Sequence, residues 1–436
     1  MYPINNFSGI NTNVILKTKD VYGTPVYLYD ENIINERCKE ALSMPNAFGI
    51  TVRYAMKANS NKTLLQLINK NGLLIDASSL NEVRRAVLAG IAYNQIILTT
   101  QEVPDKEDRT ELEHMMLNGL KYNVCSLRQL YLIGDFAYSH KLSLSIRVHP
   151  GVGSGESASR NTGDNYSCFG VHLSDIEQAI EFAKEKSIKF DIVHVHIGSG
   201  GDPKIWRKNI DLELDIIESY FHDAKTVSFG GGLKEARMPS ESSADLKELG
   251  NYAKMQIEEF YKRTNKKLHM EIEPGTFIVA NSGYAITKVI DKKRTGSNGM
   301  NFIVTNGGIE VNARPLMYGS QHPFYIVSDE GQLLYSDYDN NSVRDNNYSA
   351  VVVGRCCESG DSQCLDIQGN NILRQMSEPK IGDILVIGGV GAYCSSMTPF
   401  NYNSHVQTPE VLYTKNKELK LIRKKQTVEQ IVENEI

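Results

Sequence analysis

The stretch Asp191-Ile-Val-His-Val-His-Ile197-Gly-Ser-Gly-Gly201 decides how the chain is read. A short β-rich apolar run ends in a glycine-rich loop, and PKIWRKNIDLELDIIESYF, a segment of helical period, follows. The theme recurs on both sides. Between about Val52 and Glu273 there are eight such runs: TVRYAM, GLLIDA, QIILTT, LKYNV, LSLSIRV, DIVHVHI, KTVSF and LHMEIE. Helical segments such as NKTLLQLINK, SLNEVRRAVLAG and LSDIEQAIEFAKEK separate them. Alternating strands and helices require right-handed crossovers and a parallel sheet. Eight units match a closed (β/α)8 TIM barrel, whereas an open doubly wound sheet normally uses fewer strands per domain.

After roughly Ala285 the pattern changes to FIVTNGG, PFYIVS, QLLYS, YSAVVVGRCC, GDILVIGG, PEVLYT and ELKLIRKK, which are strands without long helices. NVILKT and PVYLYD, within the first 35 or so residues, read as two further β runs able to join that sheet. QTVEQIVENEI reads as a polar terminal helix. The expected architecture is α/β, with a barrel over 36–285 and a mostly β domain built from 1–35 and 286–436.

Apolar residues at 41% and charged residues at 23% are ordinary for a folded protein, so a disordered or fibrous chain is excluded. Lys plus Arg against Asp plus Glu gives 47 − 52 = −5, and no long basic run appears beyond short stretches such as Arg423-Lys424-Lys425, so no nucleic-acid partner is expected. The start MYPINNFSG lacks a charged and apolar leader, and no apolar run approaches the roughly 20 residues of a membrane span. The expectation is a cytoplasmic protein without a membrane partner. Seven cysteines without a Cys-x-x-Cys motif predict free thiols. His149, His194, His222, His269, His322 and His405 show no metal-binding spacing, so no metal is expected.

Barrel enzymes carry their catalytic groups at the C-terminal ends of the strands. Here the first strand ends at Lys57 and the sixth at His196. The seventh runs into Gly230-Gly231-Gly232, and the eighth ends at Glu273 before Pro274, Gly275 and Thr276. Glycines let backbone N–H groups approach a phosphate. Lys57 lies among Tyr54, Ala55, Met56 and Ala58, where burial would disfavour its charge and leave an amine suited to a Schiff base with an aldehyde. Taken singly, the lysine could reach solvent and the glutamate could cap a turn. Together, a Schiff-base lysine, a phosphate nest and a carboxylate for a pyridinium nitrogen are what pyridoxal 5'-phosphate (PLP) requires.

YAMKANSN, HVHIGSG, GGGL, EIEPG, NARPLMY, CCESGD and GAYCSSM stand in the order seen in the fold type III, alanine-racemase-like PLP-dependent decarboxylases. The chain most resembles the diaminopimelate decarboxylases, and the likeness runs from Tyr54 to Asn403. It implies a homodimer of barrel-plus-β subunits with shared active sites and a small amino-acid substrate. Carried over by motif, Lys57 would hold the cofactor and His196 would stack on its ring. Ser199, Gly231, Gly232 and Gly275 would surround the phosphate, Tyr393 would add its hydroxyl, and Glu273 would pair with the ring nitrogen. Arg314 and Tyr318 would hold the substrate's far carboxylate. Cys357 would donate the proton to Cα, and Glu358 would contact the distal amino group; both would come from the other subunit.

The implied reaction is α-decarboxylation of meso-diaminopimelate to L-lysine and carbon dioxide, a step of lysine biosynthesis. Four departures bear on the substrate. Thr276 stands where the family usually has Arg, Cys168 replaces Lys in Ser-Lys-Phe-Gly, Asn306 replaces Asp before the Arg-Pro motif, and Arg355 replaces Pro before Cys-Glu-Ser. A decarboxylase of lysine, ornithine or a carrier-bound acyl amino acid is therefore the main alternative. A racemase shares the barrel, and a short PLP-binding homeostasis protein would be the non-enzymatic reading. The β domain carrying Arg314, Cys357 and Tyr393 weighs against the latter.

Overall fold

The computed structural model describes residues 9–151, 162–164, 166–196, 198, 202–338 and 348–436, so Ser199 lies outside the described residues. The chain divides into two compact units. One comprises Arg37–Lys234 and Ser243–Ile278; the other takes in the chain up to Glu36, the excursion Glu235–Ser242 and everything from Val279 onward.

In the first unit, eight parallel strands follow one another: Ile50–Ala55, Leu74–Ala77, Ile96–Thr99, Lys121–Val124, Leu144–His149, Phe190–His194, Thr226–Ser228 and His269–Ile272. His269–Ile272 pairs with both Ile50–Ala55 and Thr226–Ser228, and Lys121–Val124 pairs with Leu144–His149, so the barrel is closed. A two-residue strand, Val171–His172, is added beside the fifth. Local chemistry starts the helices. Ser79 accepts from Glu82 N, Ser126 from Gln129 N, and Asp245 from both Lys247 N and Glu248 N. Each such cap contributes about 1 kcal/mol by satisfying a donor the helix leaves open.

Barrel interiors are commonly filled by Val, Ile and Leu. This one is polar along one face of its strands, where Arg53, Asp76, Asn123, Ser145, Arg147, His194, Glu271 and Glu273 are all buried. Arg53 Nε and Glu271 Oε2 stand 2.8 Å apart on neighbouring strands.

The second unit is a ten-stranded sheet. Its long strand Gly283–Arg294 pairs antiparallel with Val26–Asp30, Ile384–Gly388 and Asn301–Thr305. Val26–Asp30, the PVYLYD run, also pairs in parallel with Glu410–Tyr413, so the N-terminal segment is built into this sheet. Ile10, Ile15, Val26, Leu28, Tyr284, Ile286, Tyr325, Val386 and Val411 form its core.

The expectation of a strand at NVILKT is overturned: Thr12–Tyr22 is a helix. Asn11 caps it by accepting from Val14 N, and Gly23 ends it at φ 73. These signals outweigh the three-residue apolar run Val14-Ile15-Leu16. The terminal helix is present as Val428–Val432, opened by a Thr427–Gln430 capping box. Among the described residues no helix is long and apolar enough to cross a membrane. All seven cysteines are free.

Candidate active site

Lys57 stands in the 3-10 turn Met56–Ala58, directly after the first barrel strand. Its neighbours Tyr54, Ala55, Met56 and Ala58 are buried, but Lys57 itself is exposed. The expected burial of this amine is thus corrected: Lys57 stands in the turn past the strand end and not within the strand. Its charge still acts on Asp76, Glu82, Glu273 and His196.

His196 follows the sixth strand and accepts at Nδ1 from Gly231 N at 3.1 Å. Burial, then Arg147 and Lys57, hold its pKa well below the usual imidazole range, so the ring is uncharged. Gly230 and Gly232 have φ of 63 and 86, and a Cβ on Gly232 would stand 2.5 Å from the Gly198 carbonyl. Trp206 is buried with its indole N–H 3.4 Å from Gly231 O, and its ring packs 5.6 Å from Phe229. Gly275 is buried and accepts from Ile278 N, closing the turn that begins at Thr276.

Glu273 is 7% exposed. Burial alone would raise its pKa, but His194, His196 and Lys57 prevail and bring it down to about 2. Oε2 stands 3.2 Å from His194 Nε2, while Oε1 is buried without a hydrogen-bond partner.

In the second unit, Arg314 opens the helix Arg314–Tyr318 and is buried. Its Cζ lies 5.6 Å from the Tyr318 ring and 6.0 Å from the Tyr393 ring, and Nη2 is 3.2 Å from Ser320 Oγ. Tyr393 adopts φ 58, a left-handed conformation uncommon outside glycine. Cys357 and Glu358 form a separate exposed cluster. Asn403 Oδ1 accepts from Cys357 N at 2.8 Å, and Tyr402 donates to Glu358 Oε2 at 3.0 Å. The Gly360 N–H and the Tyr402 hydroxyl hold the Glu358 carboxyl below its ordinary range.

The order of these groups along the chain matches known proteins. Residues 32–280 match the family described as pyridoxal-dependent decarboxylase, pyridoxal binding domain. The chain belongs to this family. The diaminopimelate decarboxylase of Escherichia coli K12 is 32% identical over 428 residues, covering 97% of this chain and 96% of the relative. A crystal structure of diaminopimelate decarboxylase aligns with a TM-score of 0.87 at 30% identity, covering 99% of each chain. That of the Helicobacter pylori enzyme complexed with L-lysine aligns at 0.78 and 26% identity, covering 96% of this chain and 98% of the other.

Pyridoxal phosphate is the cofactor of this decarboxylase, and the residues present fit it. A buried carboxylate oxygen without a partner suits a protonated ring nitrogen, and the crowded glycines of the seventh loop leave their backbone open to a phosphate.

Sequence reading missed several residues of the decarboxylase's barrel. His194 and Asp76 were not singled out, although the alternation in His-Val-His and Leu-Ile-Asp-Ala puts polar groups inside a buried strand, which is a usable signal. Cys356 and Cys357 close the run YSAVVVGRCC read as a strand, but they lie beyond its end. The strand ends at Val353, and the two lie in bends, Cys356 half-buried and Cys357 exposed. Ligand atoms of Cys356, Glu310 and His405 lie within 4.8 Å of one another. The Glu310 carboxylate is already engaged by Arg355 Nε at 3.0 Å and by Gly308 N at 2.8 Å, so the group reads as a satisfied ion pair. Arg355 and Asn306, two of the four departures, are thereby structural: Asn306 accepts from Lys288 N and donates to Thr24 Oγ1.

Proposed function

We propose that the chain removes the carboxylate at the D-centre of meso-diaminopimelate, giving L-lysine and carbon dioxide. The observation that carries this reading is Arg314, a buried guanidinium between two tyrosine rings in a family of amino-acid decarboxylases. A fixed cation suits a substrate whose far end bears a carboxylate and would be out of place around the methylene chain of lysine or ornithine.

Bound pyridoxal phosphate supplies an electron sink for the pair released as carbon dioxide departs. The protein's groups do the rest. Lys57 would hold the cofactor through its aldehyde carbon. Glu273 Oε1 holds the proton on the pyridine nitrogen, and the uncharged His196 ring covers the ring face. Gly231, Gly232 and Gly275 take the phosphate, with Ser199 and the Tyr393 hydroxyl. Arg314 and Tyr318 take the distal carboxylate. Cys357 returns a proton to Cα and Glu358 meets the distal amino group, both from the second copy of a homodimer. Exposed Leu316, Met317, Phe400 and Tyr402 lie in the segments around this cluster, and they supply apolar surface for such an interface. Seven free thiols suit a reducing, cytoplasmic setting.

The test is a side-by-side decarboxylation panel of meso-diaminopimelate, L- and D-lysine, and L- and D-ornithine, repeated with Arg314→Ala and Thr276→Arg. Diaminopimelate should lead, and Arg314→Ala should raise its KM selectively. A charge-assisted hydrogen bond is worth about 1.5–3 kcal/mol, roughly a 10- to 150-fold effect. A preferred substrate without a distal carboxylate, indifferent to Arg314, would refute the reading.

A further inference from the structure

Glu273 ends a chain of polar contacts that draws on five barrel strands. At the far end Asp76, 3% exposed, shares a hydrogen bond with the Thr99 hydroxyl, and burial raises its pKa well above the usual carboxylate range. Thr99 Oγ1 accepts from Asn123 Nδ2 at 3.1 Å. The second hydrogen of that amide points at His194 Nδ1, 2.8 Å away, and the amide oxygen accepts from Ser145 Oγ at 2.8 Å. His194 Nδ1 therefore accepts, and the ring proton sits on Nε2, the atom 3.2 Å from Glu273 Oε2. The opposite end agrees, because an ionised carboxylate requires a donor facing it.

We propose that His194, held by Asn123 in its Nε2–H form, is a positioning residue that engages Glu273 Oε2 and leaves Oε1 for the pyridine nitrogen. The two carboxylate oxygens thus have different tasks. Oε2 faces His194 Nε2 at 3.2 Å, an atom with no better-aligned partner, and Oε1 has no hydrogen-bond partner among the described residues. Asp76, Asn123, His194 and Glu273 are buried and Thr99 is half-buried, so the links on either side of His194 are the ones shielded from water.

This inference rests on the reading of Glu273 as the pyridinium partner, and the experiment separates the two. Histidine-selective 15N NMR of the full chain, with and without cofactor, reports which nitrogen carries the proton; His194 is assigned as the resonance lost in His194→Gln. The expected result is a protonated Nε2 and an unprotonated Nδ1, with that preference weakened in Asn123→Ala. In the holoenzyme, His194→Leu should lower kcat about 10- to 100-fold and shift the cofactor's visible band, with KM little changed. His194→Gln, whose amide N–H can donate in the same place, should recover most of both. A proton on Nδ1, or Leu and Gln variants that behave alike, would overturn the proposal. If Glu273→Gln left turnover unchanged while Nε2 carried the proton, the pyridinium reading would be the part that failed.

Discussion

Gly231 and Glu273 approach so closely that a Cβ on the glycine would stand 2.8 Å from the Glu273 carbonyl oxygen and 3.4 Å from His196 Cε1. The loop after the seventh strand is pressed between two groups assigned to the cofactor, and Glu273 N donates to Gly230 O at 2.8 Å to hold it there. Backbone cannot retreat as a flexible side chain can. Gly231→Ala should therefore weaken cofactor affinity at least tenfold with a near-native circular dichroism spectrum, read by titrating cofactor into the stripped protein. Wild-type affinity would show that the loop relaxes freely.

Lys57 should be the site of covalent attachment. The purified protein should absorb in the visible, and Lys57→Ala should abolish that band. Borohydride reduction followed by peptide mapping should recover the cofactor on the peptide containing Lys57; recovery on another lysine would reject the assignment.

Glu273→Gln should reduce turnover far more than cofactor binding, because the amide can still reach the nitrogen but cannot keep it protonated. A pH consequence follows from its pKa of about 2. The folded value lies below the ordinary one, so the carboxylate adds stability that is fully present above the unfolded value of about 4.3 and is lost as pH falls toward 2. The stability gap between wild type and Glu273→Gln, measured by denaturant titration of cofactor-free protein, should narrow over that acid range and stay level above pH 6.

The inactive variants Lys57→Ala and Cys357→Ala should regain some activity when mixed and allowed to exchange subunits, since a mixed dimer restores one complete site. Proven exchange with no recovery would mean that each subunit supplies its own cysteine.

Removing one member of the buried Arg53–Glu271 pair leaves a charge without compensation inside the barrel, which costs about 3–5 kcal/mol. Glu271→Ala should lower the unfolding midpoint accordingly, whereas Glu271→Ala combined with Arg53→Met should recover much of the loss. Equal destabilisation of the single and double variants would show that packing, not charge, sets the cost.

The sequence by itself determined the alternation of strand and helix, the eight barrel strands, and the placement of Lys57, His196, Gly231 and Glu273 at strand ends. These are properties of short range, set by a two- or 3.6-residue period and by glycines where the backbone must come close. Short range also explains the errors. Val14-Ile15-Leu16 fits either period, and only the Asn11 cap and Gly23 decide for a helix. The long strand Gly283–Arg294 was passed over because Lys288, Asp291, Lys292 and Lys293 break its apolar run, although its outer half is solvent-facing. What only the tertiary structure decided is partnership. Thr99, Asn123, His194 and Glu273 come from the third, fourth, sixth and eighth strands, and nothing in their local spacing says that they touch. Barrel closure brings them together, setting Asn123 Nδ2 against His194 Nδ1 and His194 Nε2 3.2 Å from Glu273 Oε2, and that proximity is a property of the closed barrel and of no local stretch of sequence.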